Sequence, residues 1–558
     1  MKKAVCLLLV MLLILATCAC AAKGPASVTP NSEESQSTSK EDTGSTDVPD
    51  ESQENAVTVA DPFGKFEPAI DITTMMLEDN IRNVPDNMTM ESNPWIDLFK
   101  EYGINVTYKI SGSASDLDTK LNMAIATDDL PDIMQVSATQ FQELSEAGYL
   151  ADLTEVFEAY ATPETKAMFM QDGGIMMGNG YVNGKLVGLV MPQGYQDFIP
   201  IVSIRSDWLE ECGLSAPQTM DELWNIAKTF KEKNMGGTCT IGIGMTKNVL
   251  DLLTPTIGLL NGYHAYYNIW MEQGGELVNS TIQPEMKQAL AALSEKYAEG
   301  LIDPEFGTKE NAQLMEDVMA GRCGVVVSHF CAPFDLLNAV ADGQEWSYYA
   351  VPSADSEPVL GQFNLAFSGA LCVSAKCAHP EAMIEMLNLF TKYVAEDPQT
   401  YNDNAVRNFA YPTITASISG NTDIHKEYLE FLETGVTPAE TTQGYESTVE
   451  AAEKYRLNQD IDGYTMWAVF GPEGTQVQVA KAIETNAYMI DVYTGAPTEG
   501  MSQYGSTLKS MTEQIVTDII RGVKPVDAFD EFVASWKANG GDIIAEEVNA
   551  WYRAQTVK

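Results

Sequence analysis

From Asp61 onward the chain alternates short apolar runs, each a strand in length, with stretches of helical period. That rhythm is the tightest constraint on its fold, because strands alternating with helices bury their apolar faces only as layered α/β structure. Ile104–Tyr108 alternates as a strand, and Asp116–Thr127 reads as a helix with Leu117, Leu121, Ala124 and Ile125 on one face. Leu130–Val136 begins a buried strand. Tyr181–Leu186 carries Asn183-Gly184 at its centre, the signal for a hairpin with a type I′ turn. Ser206–Leu209 opens a helix, and Pro284–Tyr297 is helical with Met286, Leu290, Leu293 and Tyr297 as its stripe. Gly324–Val327 is a buried strand, Pro380 stands in the first turn of another helix, and Ile543–Arg553 closes the chain as a helix. With 558 residues the chain exceeds the roughly 250–300 that a single core supports, so at least two lobes are expected.

The segment before Asp61 is different. Lys2 and Lys3 precede an apolar run, Ala4–Ala16, too short for the roughly 20 residues of a membrane-spanning helix. The pattern is that of a secretory signal peptide. It ends Leu15-Ala16-Thr17-Cys18-Ala19-Cys20, which resembles a bacterial lipoprotein box, where the cysteine is acylated and heads the mature protein. Cys20 is the expected lipidation site, having small Ala19 before it. Cys18 is the alternative, with Leu15 three residues back. Residues 23–60 hold twelve Ser/Thr, eight acids, two lysines and no aromatic residue. Such a segment buries too little apolar surface to offset ordering entropy and reads as a disordered tether.

The formal net charge is −46, from 33 basic and 79 acidic residues. A surface of that sign repels a polyanion and offers no basic stripe for counterion release, so nucleic acid is excluded as a partner. The chemistry of common enzymes is absent too. The four histidines (264, 329, 379, 425) are scattered, with no H-E-x-x-H, and no G-x-S-x-G elbow occurs. Gly178-x-Gly180 and Gly242-x-Gly244 lack dinucleotide or P-loop spacing and read as turns. No two cysteines are spaced as a C-x-x-C pair. The six beyond Cys20 read as buried free thiols, with Cys372 and Cys377 the nearest to a plausible bridge.

Several segments together resemble the family 1 extracellular solute-binding proteins of ABC importers, in the large lipoprotein branch that captures oligosaccharides. Leu130-Pro131-Asp132-Ile133 is similar to that family's "lPDI" strand, and Val182–Gly188 followed by Met191-Pro192 to its "dGKlyglP" hairpin. Ile204–Leu209, Gly213-Leu214 and Pro217-Gln218-Thr219 follow "iRxDWLxxxGLxxPxT". Ile282–Lys287 and Gly300–Phe306 resemble its central helix region. Phe532–Trp536, Gly540-Gly541 and Glu547–Tyr552 resemble its C-terminal signature.

The resemblance implies an α/β, two-lobed periplasmic-binding-protein-like fold of type II, with lobes joined by a hinge that closes on ligand. The chain would cross between lobes near 194–200 and 350–358. The expected layout is a signal peptide over 1–19, the lipidated cysteine and tether over 20–60, an N-terminal lobe from 61–196 and 356–410, and a C-terminal lobe from 197–355 and 411–558. The implied role is a cell-surface lipoprotein that captures an oligosaccharide and hands it to ABC permease subunits. The protein would be a monomer on the outer face of a Gram-positive type membrane, without enzymatic activity or cofactor. An extracellular glycan-degrading enzyme and a non-transporting sensor or adhesion lipoprotein are the rival readings. Some relatives carry a calcium loop of alternating Asp/Asn. Here Phe230–Cys239 has one acid and two lysines, so no metal is expected there.

A sugar presents hydroxyl edges and an apolar C–H face, so its cleft needs aromatic rings beside Asp, Asn, Gln or His. In open α/β sheets such groups sit beyond the strand ends that face the crevice. Ser137 and Thr139 follow the Pro-Asp-Ile strand. Gln193, Tyr195 and Asp197 follow the hairpin, where a polar hinge loop is the plain alternative. Tyr263, Tyr266, Tyr267 and Trp270 form an aromatic run, of which Trp270 is equally placed for a core. His329, Phe330 and Phe334 follow the strand ending at Val327, and Trp467 stands in a segment flanked by Gly and Pro. Trp208, Trp536 and Trp551, with Arg205 and Asp207, read as packing or helix-orienting residues. The acidic surface favours neutral over uronate-rich oligosaccharides.

Overall fold

A computed structural model describes residues 61–556 apart from 79–80, 82–87, 193–196, 198, 252–255, 364–366, 402–403, 408, 411–417, 440 and 443. Both candidate lipidation sites, Cys20 and Cys18, the signal-like run and the acidic tether lie outside the described residues. So do the candidate ligand residues Gln193 and Tyr195. No described helix is long and apolar enough to cross a membrane.

The strands, in chain order, are β1 (Ile70–Leu77), β2 (Ile104–Gly112), β3 (Ile133–Ser137), β4 (Tyr181–Val182), β5 (Lys185–Leu186), β6 (Ile201–Arg205), β7 (Trp270–Gln273), β8 (Glu276–Asn279), β9 (Val325–Ser328), β10 (Trp346–Ala350), β11 (Gly361–Phe363), β12 (Gly369–Val373) and β13 (Tyr488–Ile490). β1 runs parallel to β2, with Ile70 opposite Ile104, and β3 runs antiparallel to β12. The two pairs are clipped together by Asp132. Its Oδ2 accepts the Thr73 N–H at 2.8 Å and the Thr73 hydroxyl at 2.6 Å, and its own N–H donates to Thr73 Oγ1 at 3.0 Å. The aspartate of the Pro-Asp-Ile segment is thus a joint between strands.

β6 is fully buried and lies between β10 and β9, antiparallel to both. Ile201 faces Ser328 and Ala350 at one end of this sheet, and Arg205 faces Trp346 at the other. Arg205 holds Asp207 through Nε at 2.8 Å, with its guanidinium 4.3 Å from the centre of the Trp208 ring, so this pair orients the following helix. The helix Met220–Glu232 starts where Thr219 accepts the Glu222 N–H, which explains the threonine of the Pro-x-Thr segment. In the β4–β5 hairpin Asn183 and Gly184 both take positive φ, 51° and 78°, as a type I′ turn requires.

Apolar residues gather in separate clusters. The first takes β1–β3, β12 and the helix Glu381–Glu396, around Ile72, Trp95, Phe99 and Phe390. The second is built on Val202, Ile204, Trp208, Phe230, Leu290 and Val325, closed by Ile519, Phe532 and Trp536 from the C-terminal helices. A smaller one joins Ile201, Val326 and Tyr348 to Tyr464 and Val479, and a fourth holds Ile424, Tyr428, Tyr445 and Phe470. The cysteines 212, 239, 323, 331, 372 and 377 are free thiols, so Cys372 and Cys377 are not bridged.

Two buried charged sites carry consequences for stability. Lys309, 7% exposed, bonds Asp303 and Asp317, which are 1% and 6% exposed, and Arg322 Nε adds a bond to Asp317 at 2.6 Å. Replacing Lys309 by Met leaves the buried Asp303 carboxylate with no described cation and Asp317 with Arg322 alone, and urea unfolding should register a loss of about 3–5 kcal/mol. Glu385 is 4% exposed and its Oε2 has no partner among the described residues. Burial, with Glu381 and Asp61 nearby, pushes its carboxyl from 4.5 up to about 8. The folded state therefore binds the proton more tightly than the unfolded chain, and stability falls as pH rises from about 4.5 to about 8. Glu385→Gln should flatten that slope in melts taken across the same pH range.

Candidate functional site

The sheet end marked by Ile201, Ser328 and Ala350 collects polar side chains from distant parts of the chain. Asp197 lies just before β6. Its Oδ2 accepts the Asn421 amide at 2.7 Å and its Oδ1 the Gln476 amide at 2.7 Å. Thr422 donates to the Gln476 carbonyl at 3.1 Å, which fixes the direction of that amide. Burial raises the Asp197 carboxyl above the usual range, and the two amide donors offset part of the rise. Thr475, fully buried, donates to the Phe330 carbonyl at 2.8 Å. The starts of the helices Gly420–Thr434 and Gln476–Thr485 are thereby held against the residues that flank β6 and β9.

His329 leaves β9 at this same end. The Cys331 N–H donates to its Nδ1 at 3.4 Å, so Nδ1 is the unprotonated nitrogen. Burial holds the imidazole below its usual pKa, with Asp251 pulling the other way. The Phe330 ring lies 5.6 Å from the imidazole, and Phe334, 46% exposed, follows on the short helix Ala332–Asp335. Asp197, His329 and Phe330 are thus brought together at one sheet end, and Phe334 projects beside them.

Ser137 and Thr139 are exposed at the end of β3. Ser137 caps the helix Ala138–Glu146 in a reciprocal box with Gln140, whose amide reaches Asp118 at 2.9 Å and Asn122 at 2.8 Å. A link between this part and the Asp197 group comes from Gln171, whose carbonyl accepts the Ile418 N–H at 2.7 Å, just before the helix bearing Asn421.

The aromatic run does not gather at one place. The Tyr263 hydroxyl accepts the Trp224 indole N–H at 2.9 Å, and Tyr266 is buried. Tyr267 and Trp270 instead line a cavity of about 320 Å³ against the C-terminal helices. Trp467 lines another, of about 300 Å³, with Ser206 and Trp346 at the sheet end opposite His329. The amides of Asn421 and Gln476 and the Thr475 hydroxyl were not singled out from the sequence. Their only signal is position, since each stands at or near a helix start. Among the described residues no group of His, Cys, Asp and Glu is arranged to hold a metal ion. The described groups are hydrogen-bonding acids, amides and hydroxyls beside aromatic rings. That set suits binding of a hydroxylated solute by reversible contacts.

Comparison with known proteins fits that chemistry. The family model described as "bacterial extracellular solute-binding protein" matches residues 89–401, more than half of the chain. The chain is 23% identical over 485 residues to lipoprotein LipO of Bacillus subtilis, covering 83% of this chain and 89% of that protein. It is 24% identical over 233 residues to the polygalacturonan/rhamnogalacturonan-binding protein YtcQ of the same organism, covering 40% of this chain and 44% of the other. Among solved structures, an HMO-binding, ABC-transporter-associated solute-binding protein of Bifidobacterium longum infantis superposes with a TM-score of 0.59. It is 14% identical, and the match covers 87% of this chain and 98% of that one.

Removing the Asp197 carboxylate should loosen both helix starts. Asp197→Ala leaves the buried Gln476 amide and the half-buried Asn421 amide without their acceptor, so it should lower the unfolding free energy by about 1–3 kcal/mol. Hydrogen exchange should speed up at residues 420–424 and 476–480. An unchanged exchange pattern would show that packing alone holds these helices.

Proposed function

The chain belongs to the bacterial extracellular solute-binding protein family, and from that footing we propose that it is the substrate-capturing lipoprotein of an ABC importer for an oligosaccharide. Its fold is the two-lobed α/β fold of the similar solute-binding structures. The lobes are taken as 61–196 with 356–410, and 197–355 with 411–558. This division is supported by the apolar clusters, the first drawing on residues 70–190 and 363–410 and the second on 202–351 and 493–548.

In this reading the ligand enters between the lobes. Ser137 and Thr139 meet it from one side, and Asp197, His329, Phe330 and Phe334 from the other, with Gln193 and Tyr195 in the connecting segment. Tyr263, Tyr266 and Trp467 are kept as candidates for further contacts. The single observation that carries the proposal is the convergence of Asp197, Asn421, Gln476, His329 and Phe330 at one end of the β10–β6–β9 sheet, in a chain of this family. Acids and amides there would bind hydroxyl groups, and the rings would stack on C–H faces. No group in the set is arranged as a nucleophile with its base, so the ligand would leave unchanged.

The names of the similar proteins lend support: one binds polygalacturonan or rhamnogalacturonan, one binds HMO, and one is a lipoprotein. Cys20, or Cys18 in its place, would carry the acyl chains that keep a monomeric receptor at the outer face of the membrane. Handing over the ligand would be the task of a cognate permease.

A thermal-shift screen of the mature chain against neutral and uronate-rich oligosaccharides tests the reading. At least one glycan should raise the melting temperature, a neutral one by preference, and X-ray scattering should show compaction with that glycan. Stabilisation by some other class of solute and by no glycan would defeat it, as would turnover of the glycan by the purified protein.

A further inference from the structure

The cavity of about 320 Å³ lies between the β7–β8 hairpin, the segment that follows β13, and the helices Glu499–Ile520 and Ala528–Trp536. Its volume stands at the small end of the roughly 300–1,000 Å³ that ligand pockets occupy. None of the residues that line it belongs to the Asp197 group. Its wall is chemically unusual for a packing defect, since it presents polar atoms for which no described residue supplies a partner.

Asp491 is the central one. It is 3% exposed, and its Oδ1 accepts the backbone N–H groups of Trp270 at 3.1 Å and Tyr493 at 2.9 Å. Among the described residues nothing donates to Oδ2 and no cation pairs with it. Asn279, also 3% exposed, accepts the Thr281 N–H on its Oδ1 at 3.0 Å. That bond fixes the amide so that Nδ2 is the free end, and no described residue accepts from it. The indole N–H groups of Trp270 and Trp536 likewise have no acceptor among the described residues, while both rings are nearly buried and form wall. Such groups, on residues that line the cavity, are open to an occupant that bonds them.

The donor set selects the occupant. Three N–H groups, one carboxylate oxygen and the Lys509 ammonium belong to residues that line the cavity together with two indole rings. An ammonium ion points hydrogens outward in every direction and would meet the three N–H groups head-on. Asp491 and Lys509 line the same cavity with opposite charges, so the wall favours a neutral occupant over an anion. A hydroxyl can accept from an N–H and donate to a carboxylate at once, and a sugar ring adds C–H faces that stack on indole. We propose that this cavity is a second ligand site, separate from the Asp197 cluster, that takes a single neutral monosaccharide. Tyr267 and Trp270, the aromatic residues the cleft reading leaves unused, then belong to this site. The proposal stands whether or not the cleft carries an oligosaccharide.

Two variants make it testable. Asp491→Asn keeps the Oδ1 acceptor for both backbone N–H groups and removes only the free carboxylate oxygen. Gly505 lines the cavity on the helix Glu499–Ile520, and a Cβ placed there meets nothing within 4 Å. Gly505→Leu therefore adds bulk at the cavity wall with no clash at its Cβ and leaves the Asp491 side chain itself unchanged. Titration of the mature chain with glucose, galactose, mannose and myo-inositol into the millimolar range, read by calorimetry and tryptophan fluorescence, should find at least one binder. Asp491→Asn should weaken it by about tenfold or more, and Gly505→Leu should abolish it, with both variants keeping the native circular dichroism. Binding that survives Gly505→Leu would place the sugar elsewhere and overturn the proposal, and so would the failure of every probe to bind. If Asp491→Asn does not fold, Gly505→Leu decides alone. An oligosaccharide that still binds the chain when no monosaccharide does would remove this site and leave the cleft reading intact.

Discussion

A partly buried carboxylate with no cation among the described residues is the constraint around which the sheet end of β10–β6–β9 is arranged. Asp197 is bonded by two neutral amides, one 224 residues later in the chain and the other 279. Neutral donors lessen the desolvation of a carboxylate without cancelling its charge, which is why its pKa stays raised instead of falling as it would beside an arginine. The consequence is architectural first. Helices that begin at Gly420 and Gln476 have to dock with their starts against the entry to β6, since only there do their amides reach the carboxylate. The consequence is also electrostatic. An ionised Asp197 has no cation among the described residues to cancel it, which suits a hydroxyl donor and opposes a uronate at that spot.

How much of this could be read from the sequence divides along physical lines. The β4–β5 hairpin was legible because Asn183-Gly184 states its backbone conformation locally. The helix at Ser206 was legible because Ser206-Asp207-Trp208-Leu209 is a local start signal. β9 was legible because a strand buried on both faces leaves an unbroken apolar run, whereas β6, broken by Ser203 and ended by Arg205, was not read as a strand. Asn421 and Gln476 were not, because an amide acquires its role from a partner hundreds of residues away and no local pattern marks it. The aromatic run from Tyr263 to Trp270 shows the opposite failure. Closeness in sequence suggested a single surface, yet Asn268 takes a positive φ of 53° and β7 starts two residues later, so the rings separate. Tyr263 goes to Trp224, and Trp270 turns toward the C-terminal helices. Ser137 illustrates a third case, in which a residue at the right strand end also caps the next helix, and the sequence cannot apportion a hydroxyl between two uses.

The parallel pair β11–β13 links these observations. Gln362, 2% exposed, accepts the Tyr267 N–H at 3.0 Å and donates to the Tyr267 carbonyl at 3.0 Å, so its side chain pairs with backbone as a strand neighbour would. Asp491, at the end of β13, holds the Trp270 N–H, and the Val492 N–H donates to the Trp270 carbonyl at 3.0 Å. Both strands of the pair are therefore tied to the same short stretch, Tyr267–Trp270, and through it to the β7–β8 hairpin. Sliding β11–β13 past that hairpin would break several buried hydrogen bonds at once, each costly to leave unmade in the interior. The crossover pair and the hairpin must then move as one block, and any hinge motion has to be absorbed by backbone outside it. Trp270, Asn279 and Asp491, on one wall of the cavity, belong to that block, so the positions of these three residues relative to one another are set by its hydrogen bonds.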